Sequence, residues 1–291
     1  MTESSMLVKL FFFSLFLLSS VHGKEYIFAM YPANNPTKIV QALTPLMEYL
    51  SQQSGDTFKL VVTKDYDELT QRIEEKSVDF AWVNSKNFVL LKEKKPSLHY
   101  LVTYLENSKS GQITPYYRSF IVALKETNIT TLENAKGKHF AFTDKESTSG
   151  YAYPMMIFED HRINPYTFFQ KVFFLKKHDK VIEALINHSI DIGAISDGTY
   201  YSARAKYGDK FNILAFSVPI PLDAIIASEN VSIEESQRIA KLLENMPKDA
   251  PSNKAFEEHL GWLSAGFVKK DEHFYDTFKK TLKVPIYETL R

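Results

Sequence analysis

Apolar positions along the chain follow two patterns, short continuous runs and longer stretches with helical spacing. Short apolar runs, which are typical of buried strands, cover residues 26–31, 58–63 and 78–83. Between the first two runs, apolar residues recur at helical spacing from Ile39 to Leu50. This alternation of strands and helices with short connections predicts an α/β protein with a mostly parallel sheet.

The same pattern indicates where a ligand site is expected. In sheets of this kind, ligands bind beyond the carboxyl ends of the strands. The loops that follow the three predicted strands are residues 31–35, 64–66 and 83–85. Side chains from these loops are therefore candidates for ligand contacts.

Local signals predict details of several helices. Pro45 lies inside the first helical pattern and predicts a kink or a restart at Thr44, because proline lacks a backbone N–H. Gly55 is placed to end that helix. Near the C-terminus, helices over residues 233–246 and 271–281 are expected to complete the chain.

The middle of the chain repeats the strand and helix alternation and is flanked by two long apolar runs. These runs cover residues 116–124 and 212–218, and each predicts an extended strand. A chain that leaves one unit and returns to it needs two crossings, so we expect the two strands to join two lobes that close on a ligand. Lobe 1 is expected to contain residues 24–115 and 221–291, and lobe 2 residues 116–220.

A cluster of hydroxyl residues stands where a predicted strand passes into a predicted helix. Ser147, Thr148, Ser149 and Gly150 follow the apolar run 139–142. The first turn of a helix has unpaired N–H groups and the positive end of the helix dipole, so it attracts anions, and hydroxyl groups can donate to the same anion. Serine and threonine are also ordinary N-caps, so the residues alone leave an anion site and a simple cap both open.

Three further residues have both a functional and an ordinary interpretation. Tyr66 is a candidate ligand contact, but most tyrosines are packing residues. His178 begins a predicted helix and is either a donor to a ligand or a surface cap. Asp223 follows a proline and is either a ligand contact or a turn residue.

The N-terminus has the layout of a secretory signal peptide over residues 1–23. Lys9 precedes a compact apolar stretch, and Val21 and Gly23 offer small residues at a cleavage site. An uncleaved anchor is the alternative, although the apolar stretch is short for a membrane span. The chain has no cysteine, which suits an exported protein of the bacterial periplasm. We therefore expect a mature periplasmic protein that begins near Lys24.

Composition argues against several functions. The chain carries 35 basic and 35 acidic residues and has a formal net charge of zero, which gives no support for nucleic acid as a partner. It contains no nucleophile elbow around Ser147 and no phosphate-binding loop of the ATPase type. Its eight histidines show no metal-ligand spacing. We therefore expect a binding protein with no catalytic residues, metal or cofactor, rather than an enzyme.

With these residues in view, the chain resembles the periplasmic phosphonate-binding proteins of ABC importers, which are type II periplasmic binding proteins. The resemblance covers nearly the whole mature chain, and its most specific part is the Ser-Thr-Ser-Gly stretch between strand and helix. The segments that carry it are residues 64–66, 78–82, 147–150, 178, 189–192 and 220–223. The resemblance implies a two-lobed α/β fold with a ligand cleft between the lobes and a two-strand hinge.

The resemblance also implies roles for individual residues. Ser147, Thr148 and Ser149 are expected to hold the phosphonate oxygens, His178 to donate to the same oxygens, and Tyr66 to reach them from the other lobe. Asp223 matches an aspartate that contacts the ligand's ammonium group in aminoalkyl-phosphonate binders. Asp197 or Gly198 falls where such binders carry a second acid, with the match off by one position. The chain departs from the family at Val83, where some members have a tyrosine, and at Leu222, where glycine is usual.

The function implied is that of a solute-binding component that captures a phosphonate, phosphite, phosphate or related phosphorus oxyanion in the periplasm. The implied partner is an ABC permease in the inner membrane, and the protein is expected to be a monomer. The alternative is a sensory protein of the same fold that signals oxyanion availability to a membrane kinase.

Overall fold

The computed structural model describes residues 23–108, 111–271 and 273–281. The strands within these residues are β1 (Glu25–Met30), β2 (Thr57–Val62), β3 (Phe80–Val83), β4 (His99–Asn107), β5 (Ile113–Thr114), β6 (Tyr116–Tyr117), β7 (Ser119–Leu124), β8 (His139–Phe142), β9 (Lys171–Phe174), β10 (Ile192–Ser196), β11 (Phe211–Phe216), β12 (Ile220–Pro221), β13 (Ala224–Ala227) and β14 (Ser264–Val268). The helices are α1 (Pro36–Ser54), α2 (Tyr66–Glu74), α3 (Ser85–Lys94), α4 (Tyr153–Asp160), α5 (Pro165–Phe168), α6 (His178–Ile186), α7 (Asp197–Tyr207), α8 (Ile233–Glu244), α9 (Pro251–Leu260) and α10 (Asp276–Thr281).

The first sheet has the order β14-β4-β13-β3-β1-β2, with β5 paired to β4. Strand β1 is parallel to β2 and β3, whereas β13 is antiparallel to β3 and β4, and β14 is antiparallel to β4. The prediction of a mostly parallel sheet is therefore wrong for this half of the molecule. The reason is that β13 enters the sheet only after the chain has built the second sheet, and it inserts between β3 and β4 from the opposite direction.

The second sheet has the order β11-β7-β10-β8-β9. Strands β10, β8 and β9 are mutually parallel, and β7 is antiparallel to both β10 and β11. Its two faces carry separate apolar clusters. One contains Phe140, Phe142 and Phe158, and the other contains Val122 and Leu185. Because both faces are covered, this sheet is the core of a second unit, which we call lobe 2; the unit around the first sheet is lobe 1.

A short antiparallel ribbon of β6 and β12 carries the chain between the sheets, with Tyr117 opposite Ile220 and Tyr116 opposite Pro221. The prediction of one long strand over residues 116–124 is wrong, because the strand breaks at Arg118. The backbone N–H of Arg118 donates to the Asp197 carboxylate at 3.0 Å. After that residue, β7 pairs only within the second sheet.

Other elements also differ from the sequence-based expectation. Helix α1 runs unbroken through Pro45, because its inner face is fully buried at Leu43, Leu46 and Leu50, and Gly55 ends it with φ 77°. The predicted C-terminal helix 271–281 shortens to α10. Helices α7 and α9 and strand β14 have no counterpart among the predicted elements.

The predicted signal peptide lies outside the described residues, apart from Gly23. Among the helices that the structure describes, none combines the length and the apolar composition that crossing a membrane requires.

Candidate ligand-binding site

A cavity lies between the two lobes. The cavity has a volume of ≈ 50 Å³, which is several times the roughly 10–15 Å³ that a single water needs. A small charged group therefore fits. The lining residues are Tyr31, Ala33, Asn34, Tyr66, Asn84, Tyr104, Glu106, Tyr117, Ser147, Thr148, Ser149, His178, Ser196, Asp197, Gly198, Leu222, Asp223 and Trp262.

All seven residues singled out in the sequence line this cavity. Lobe 1 contributes two of them and lobe 2 contributes five. They are Tyr66 and Asp223 on one side, and Ser147, Thr148, Ser149, His178 and Asp197 on the other. The structure therefore brings together residues that are up to 157 positions apart in the chain, from Tyr66 to Asp223 (223 − 66 = 157).

The hydroxyl triplet lies at the start of a π-helical turn, Thr148–Ala152, that leads into α4. The Ser147 hydroxyl oxygen accepts a hydrogen bond from the Gly150 N–H at 3.0 Å, so Ser147 is a helix cap. The hydroxyl proton remains free to donate to another acceptor. Capping and anion binding are thus compatible functions of the same residue.

Gly150 is required by packing against the end of β8. A Cβ added at this position would lie 1.7 Å from the Thr143 hydroxyl oxygen. The Thr143 N–H donates to the Gly150 carbonyl at 3.2 Å and ties the turn to the strand. Gly150 therefore allows a close approach to Thr143, and this contact fixes the position of the hydroxyl triplet.

Helix α3 of lobe 1 contacts the hydroxyl loop of lobe 2. The Lys86 backbone N–H donates to the Thr148 hydroxyl oxygen at 3.2 Å, and the Asn84 amide donates to the Glu146 carbonyl at 3.1 Å. The Lys86 ammonium pairs with the Glu146 carboxylate at 2.9 Å. Because the Thr148 oxygen accepts from lobe 1, its own proton points elsewhere, and the cavity offers the nearest space.

His178 is held in one tautomer. Its Nδ1 accepts a hydrogen bond from the Ser196 backbone N–H at 3.1 Å, so the neutral ring carries its proton on Nε2. Nε2 lies 3.5 Å from the Ser147 hydroxyl oxygen and faces the cavity. Burial lowers the pKa of His178 to about 4. The ring is therefore a neutral donor at physiological pH and not a surface cap.

Tyrosine hydroxyls extend this set of donors. The Tyr66 and Tyr117 phenols line the same cavity as the Ser147 and Ser149 hydroxyls. Burial raises the pKa of both phenols, so both stay protonated. The Tyr66 ring also stacks on Tyr31 at 4.7 Å between centroids.

Carboxyl groups occupy another part of the lining. The Asp223 carboxylate accepts from the Tyr31 hydroxyl and from the Trp82 indole N–H, the latter at 3.0 Å. Burial raises the pKa of Asp223 to about 6 and that of Asp197 to about 6. Burial also raises the pKa of Glu106 to about 8, with smaller contributions from Asp197 and Asp223. Among the described residues, no lysine or arginine lines the cavity beside these acids.

Several lining residues were not singled out in the sequence. Tyr31 and Asn84 lie in the strand-end loops where a site was expected, so the strand pattern already pointed to them. Tyr117 lies in the crossing ribbon, and Glu106 near the end of β4. No local signal marks either of these two, because their places in the cavity depend on strand pairing across the two lobes.

Among the described residues, no three or more histidine or acidic side chains are grouped so that they could hold a metal ion. The cavity presents hydroxyl, imidazole and amide donors at one part of its surface and carboxyl groups at another. Such a set can bind an oxyanion by directed hydrogen bonds.

The fold and this cavity define a two-lobed periplasmic binding protein. A binding-protein component of an ABC phosphonate transporter from Pseudomonas aeruginosa superposes with a TM-score of 0.77 at 20% identity, over 89% of this chain and 85% of that one. PhnD1 of Prochlorococcus marinus, in complex with methylphosphonate, superposes with a TM-score of 0.79 at 15% identity, over 91% of this chain and 99% of that one.

The sequence places the chain within a family. A model of the periplasmic substrate-binding proteins of phosphonate ABC transporters matches residues 28–275, and the chain belongs to this family. The phosphate-import protein PhnD of Mycolicibacterium smegmatis is 28% identical over 127 residues, which are 43% of this chain and 39% of that relative. The chain thus aligns with about two fifths of the length of this curated relative.

The geometry of His178 leads to a first prediction. Nitrogen-15 NMR should show a neutral ring protonated on Nε2 at pH 5.5, because burial opposes charging and the Ser196 N–H occupies Nδ1. A His178→Asn variant assigns the signal. A doubly protonated ring at this pH would contradict the proposed donor state.

Proposed function

We propose that this chain is the solute-binding component of an ABC importer and captures a phosphonate or related phosphorus oxyanion between its lobes, without converting it. The observation that carries the proposal is the convergence of the Ser147 hydroxyl and the neutral His178 Nε2–H on one cavity. Thr148 and Ser149 add hydroxyls and the first N–H groups of the π-helical turn.

In this proposal the phosphonate group is held by neutral, directed donors. Burying an anion is unfavourable unless it is hydrogen-bonded, and hydrogen bonds to a charged group are the stronger ones. Because no ammonium or guanidinium group lines the described cavity, release of the ligand does not require a salt bridge to break. Closure of the lobes about the β6–β12 ribbon, with lobe 1 as residues 24–115 and 221–291 and lobe 2 as residues 116–220, completes the shell.

The tail of the ligand is assigned to the acidic part of the cavity. A carboxylate that faces an anion is unfavourable unless a cation lies between them or the acid is protonated. An ammonium group on the ligand supplies that cation, and Asp223 is its proposed partner, with Asp197 as a second acid. A second possibility is that Asp223 accepts a hydrogen bond from a phosphate hydroxyl. The similarity of the chain to a phosphate-import protein motivates this alternative.

The proposed setting is the periplasm, with a permease of the inner membrane as partner and the binding protein as a monomer. The relatives named above are binding proteins for import, and nothing in the comparisons supports the sensory alternative.

Removal of the hydroxyl triplet tests the head-group site. Ser147→Ala, Thr148→Ala and Ser149→Ala should each weaken binding about 10-fold or more, because a hydrogen bond to a charged group contributes on the order of 1.5–3 kcal/mol. Calorimetry with phosphate, phosphite, methylphosphonate and aminoethylphosphonate measures this. Small-angle scattering of the same samples should show compaction on binding.

Thr130→Ala and Thr131→Ala remove exposed hydroxyls of lobe 2 and serve as matched controls. They should leave affinity unchanged. Because Ser147 also caps the turn, circular dichroism must show that its variant is folded. If all three folded triplet variants keep the affinity of the unaltered protein, these residues cap the turn and do not bind the ligand.

Asp223→Asn tests the tail. The amide keeps an oxygen for the Tyr31 and Trp82 donors but removes the charge, so aminoethylphosphonate should lose about 10-fold in affinity while methylphosphonate changes little. Asp249→Asn, at an exposed site of lobe 1, is the control. Equal loss for both ligands, or tightest binding of phosphate by the unaltered protein, would favour the hydroxyl-accepting role.

Export is tested on the protein recovered from a bacterial periplasm. Mass spectrometry should find a chain that begins near Lys24, because the small residues before it suit signal peptidase. Full-length protein retained in the membrane fraction would indicate an uncleaved anchor instead.

A further inference from the structure

The cavity continues into an outer groove. The groove has a volume of ≈ 850 Å³. Four residues line both the cavity and the groove, namely Glu106, Tyr117, Asp197 and Gly198. The three residues of the hydroxyl triplet line the cavity and are not among the described residues that line the groove. A ligand whose head lies at the triplet can therefore extend its tail past Glu106 and Asp197.

The backbone holds Glu106 firmly at this passage. It is in β4, where it pairs with Thr114 of β5 on one side and with Ser264 of β14 on the other. Its side chain is half-buried. The strand pairing therefore fixes the backbone position from which the Glu106 side chain reaches the passage.

On the cavity side, the groups around Glu106 are acidic or neutral. Asp197 of α7 and Asp223 ahead of β13 are the carboxyl groups that act on it. The phenols of Tyr104 and Tyr117 also line the cavity and stay protonated, because burial raises the pKa of both.

The Arg118 guanidinium lines the groove and donates to the Ser217 carbonyl. The other titratable groups of the groove are Lys38, Tyr116, Tyr201, Lys206, Glu257, Glu258 and His259. On the cavity side, the further titratable residues are Tyr31, Tyr66 and the neutral His178.

Glu106 also differs from the other two acids in its bonding. The Asp223 Oδ2 already accepts from Tyr31 and Trp82. Both Asp197 oxygens accept backbone N–H groups, from Arg118 at 3.0 Å and from Gly198 at 2.8 Å. Among the described residues, the Glu106 carboxyl has no hydrogen-bond or ion-pair partner, so its full accepting capacity is available to a ligand.

We propose that Glu106 is a specificity-determining residue that selects phosphonates with an ammonium group on a tail long enough to reach the passage between cavity and groove. The proposal rests on the proposed function, because it needs the phosphonate head at the hydroxyl triplet. An alkyl tail meets a carboxyl group without a partner there, and an anionic tail is repelled.

Ligand binding and proton release are coupled at this residue. Burial and the neighbouring carboxylates raise the pKa of Glu106 to about 8, so the empty site holds a proton near neutral pH. An ammonium group at the passage stabilises the ionised carboxylate and displaces that proton. Affinity for an ammonium-tailed ligand therefore rises with pH up to about 8, whereas an alkyl tail causes no such change.

Calorimetry with 3-aminopropylphosphonate and propylphosphonate at pH 7, in two buffers of different ionisation enthalpy, tests this proposal. Titration of the same amine into Glu106→Gln corrects for protons exchanged by the phosphonate itself, because the ammonium group lowers the phosphonate pKa relative to that of propylphosphonate. The unaltered protein should release an additional proton fraction only with the amine. Glu106→Gln should abolish that release and weaken the amine about 10-fold, with propylphosphonate and methylphosphonate within about 2-fold of the unaltered protein.

Glu48→Gln, which removes an exposed carboxylate of α1, is the matched control and should change neither quantity. Equal proton release with both ligands, or equal weakening of both by Glu106→Gln, would overturn the role of Glu106 while leaving the head-group site intact. If the unaltered protein binds neither these ligands nor methylphosphonate, phosphite or phosphate, the proposed function fails and this inference with it.

Discussion

The constraint on which this structure depends is the burial of a hydroxyl-lined turn at the boundary of two lobes. Within lobe 2, Gly150 packs against Thr143, and the Ser147 hydroxyl caps the turn by accepting the Gly150 N–H. The turn is fixed from the opposite lobe by Lys86 and Asn84. These contacts hold the Ser147 and Thr148 hydroxyl oxygens in place, and all three residues of the triplet line the cavity.

The cavity lining has two chemically different parts, one with hydrogen-bond donors and one with carboxyl groups. Hydroxyls and a neutral imidazole provide donors near the turn, and the carboxyl groups of Asp223, Asp197 and Glu106 provide acceptors. Burial raises the pKa of all three acids. Because the pKa of Glu106 is about 8, this acid stays protonated near neutral pH and does not repel the ionised carboxylates of Asp223 and Asp197.

Contacts between the lobes couple closure to the geometry of the site. The Lys86–Glu146 pair and the hydrogen bond from the His178 N–H to the Ala33 carbonyl, at 3.0 Å, both join the lobes beside residues that line the cavity. Separation of the lobes removes the lobe 1 contacts of Thr148 and of the His178 backbone together. The closed arrangement is thus the one in which the donors of lobe 2 are fully oriented.

Local sequence patterns determined the strand and helix alternation, the crossing of the chain between two units, and the hydroxyl motif at the end of β8. The signals for these features lie within a few neighbouring residues, so they can be recognised without a structure. Together with the family resemblance, through which Asp197 was singled out, they led to seven candidate residues, and each of these lines the cavity.

Tertiary structure alone decided the rest. The antiparallel insertion of β13 between β3 and β4, and the break of the crossing strand at Arg118, depend on pairing between distant segments. The same pairing brings Glu106 and Tyr117 into the cavity, although neither carries a local mark in the sequence. Long-range pairing leaves little trace in a short window of sequence, because the partner residue is far away along the chain and either residue alone is ordinary.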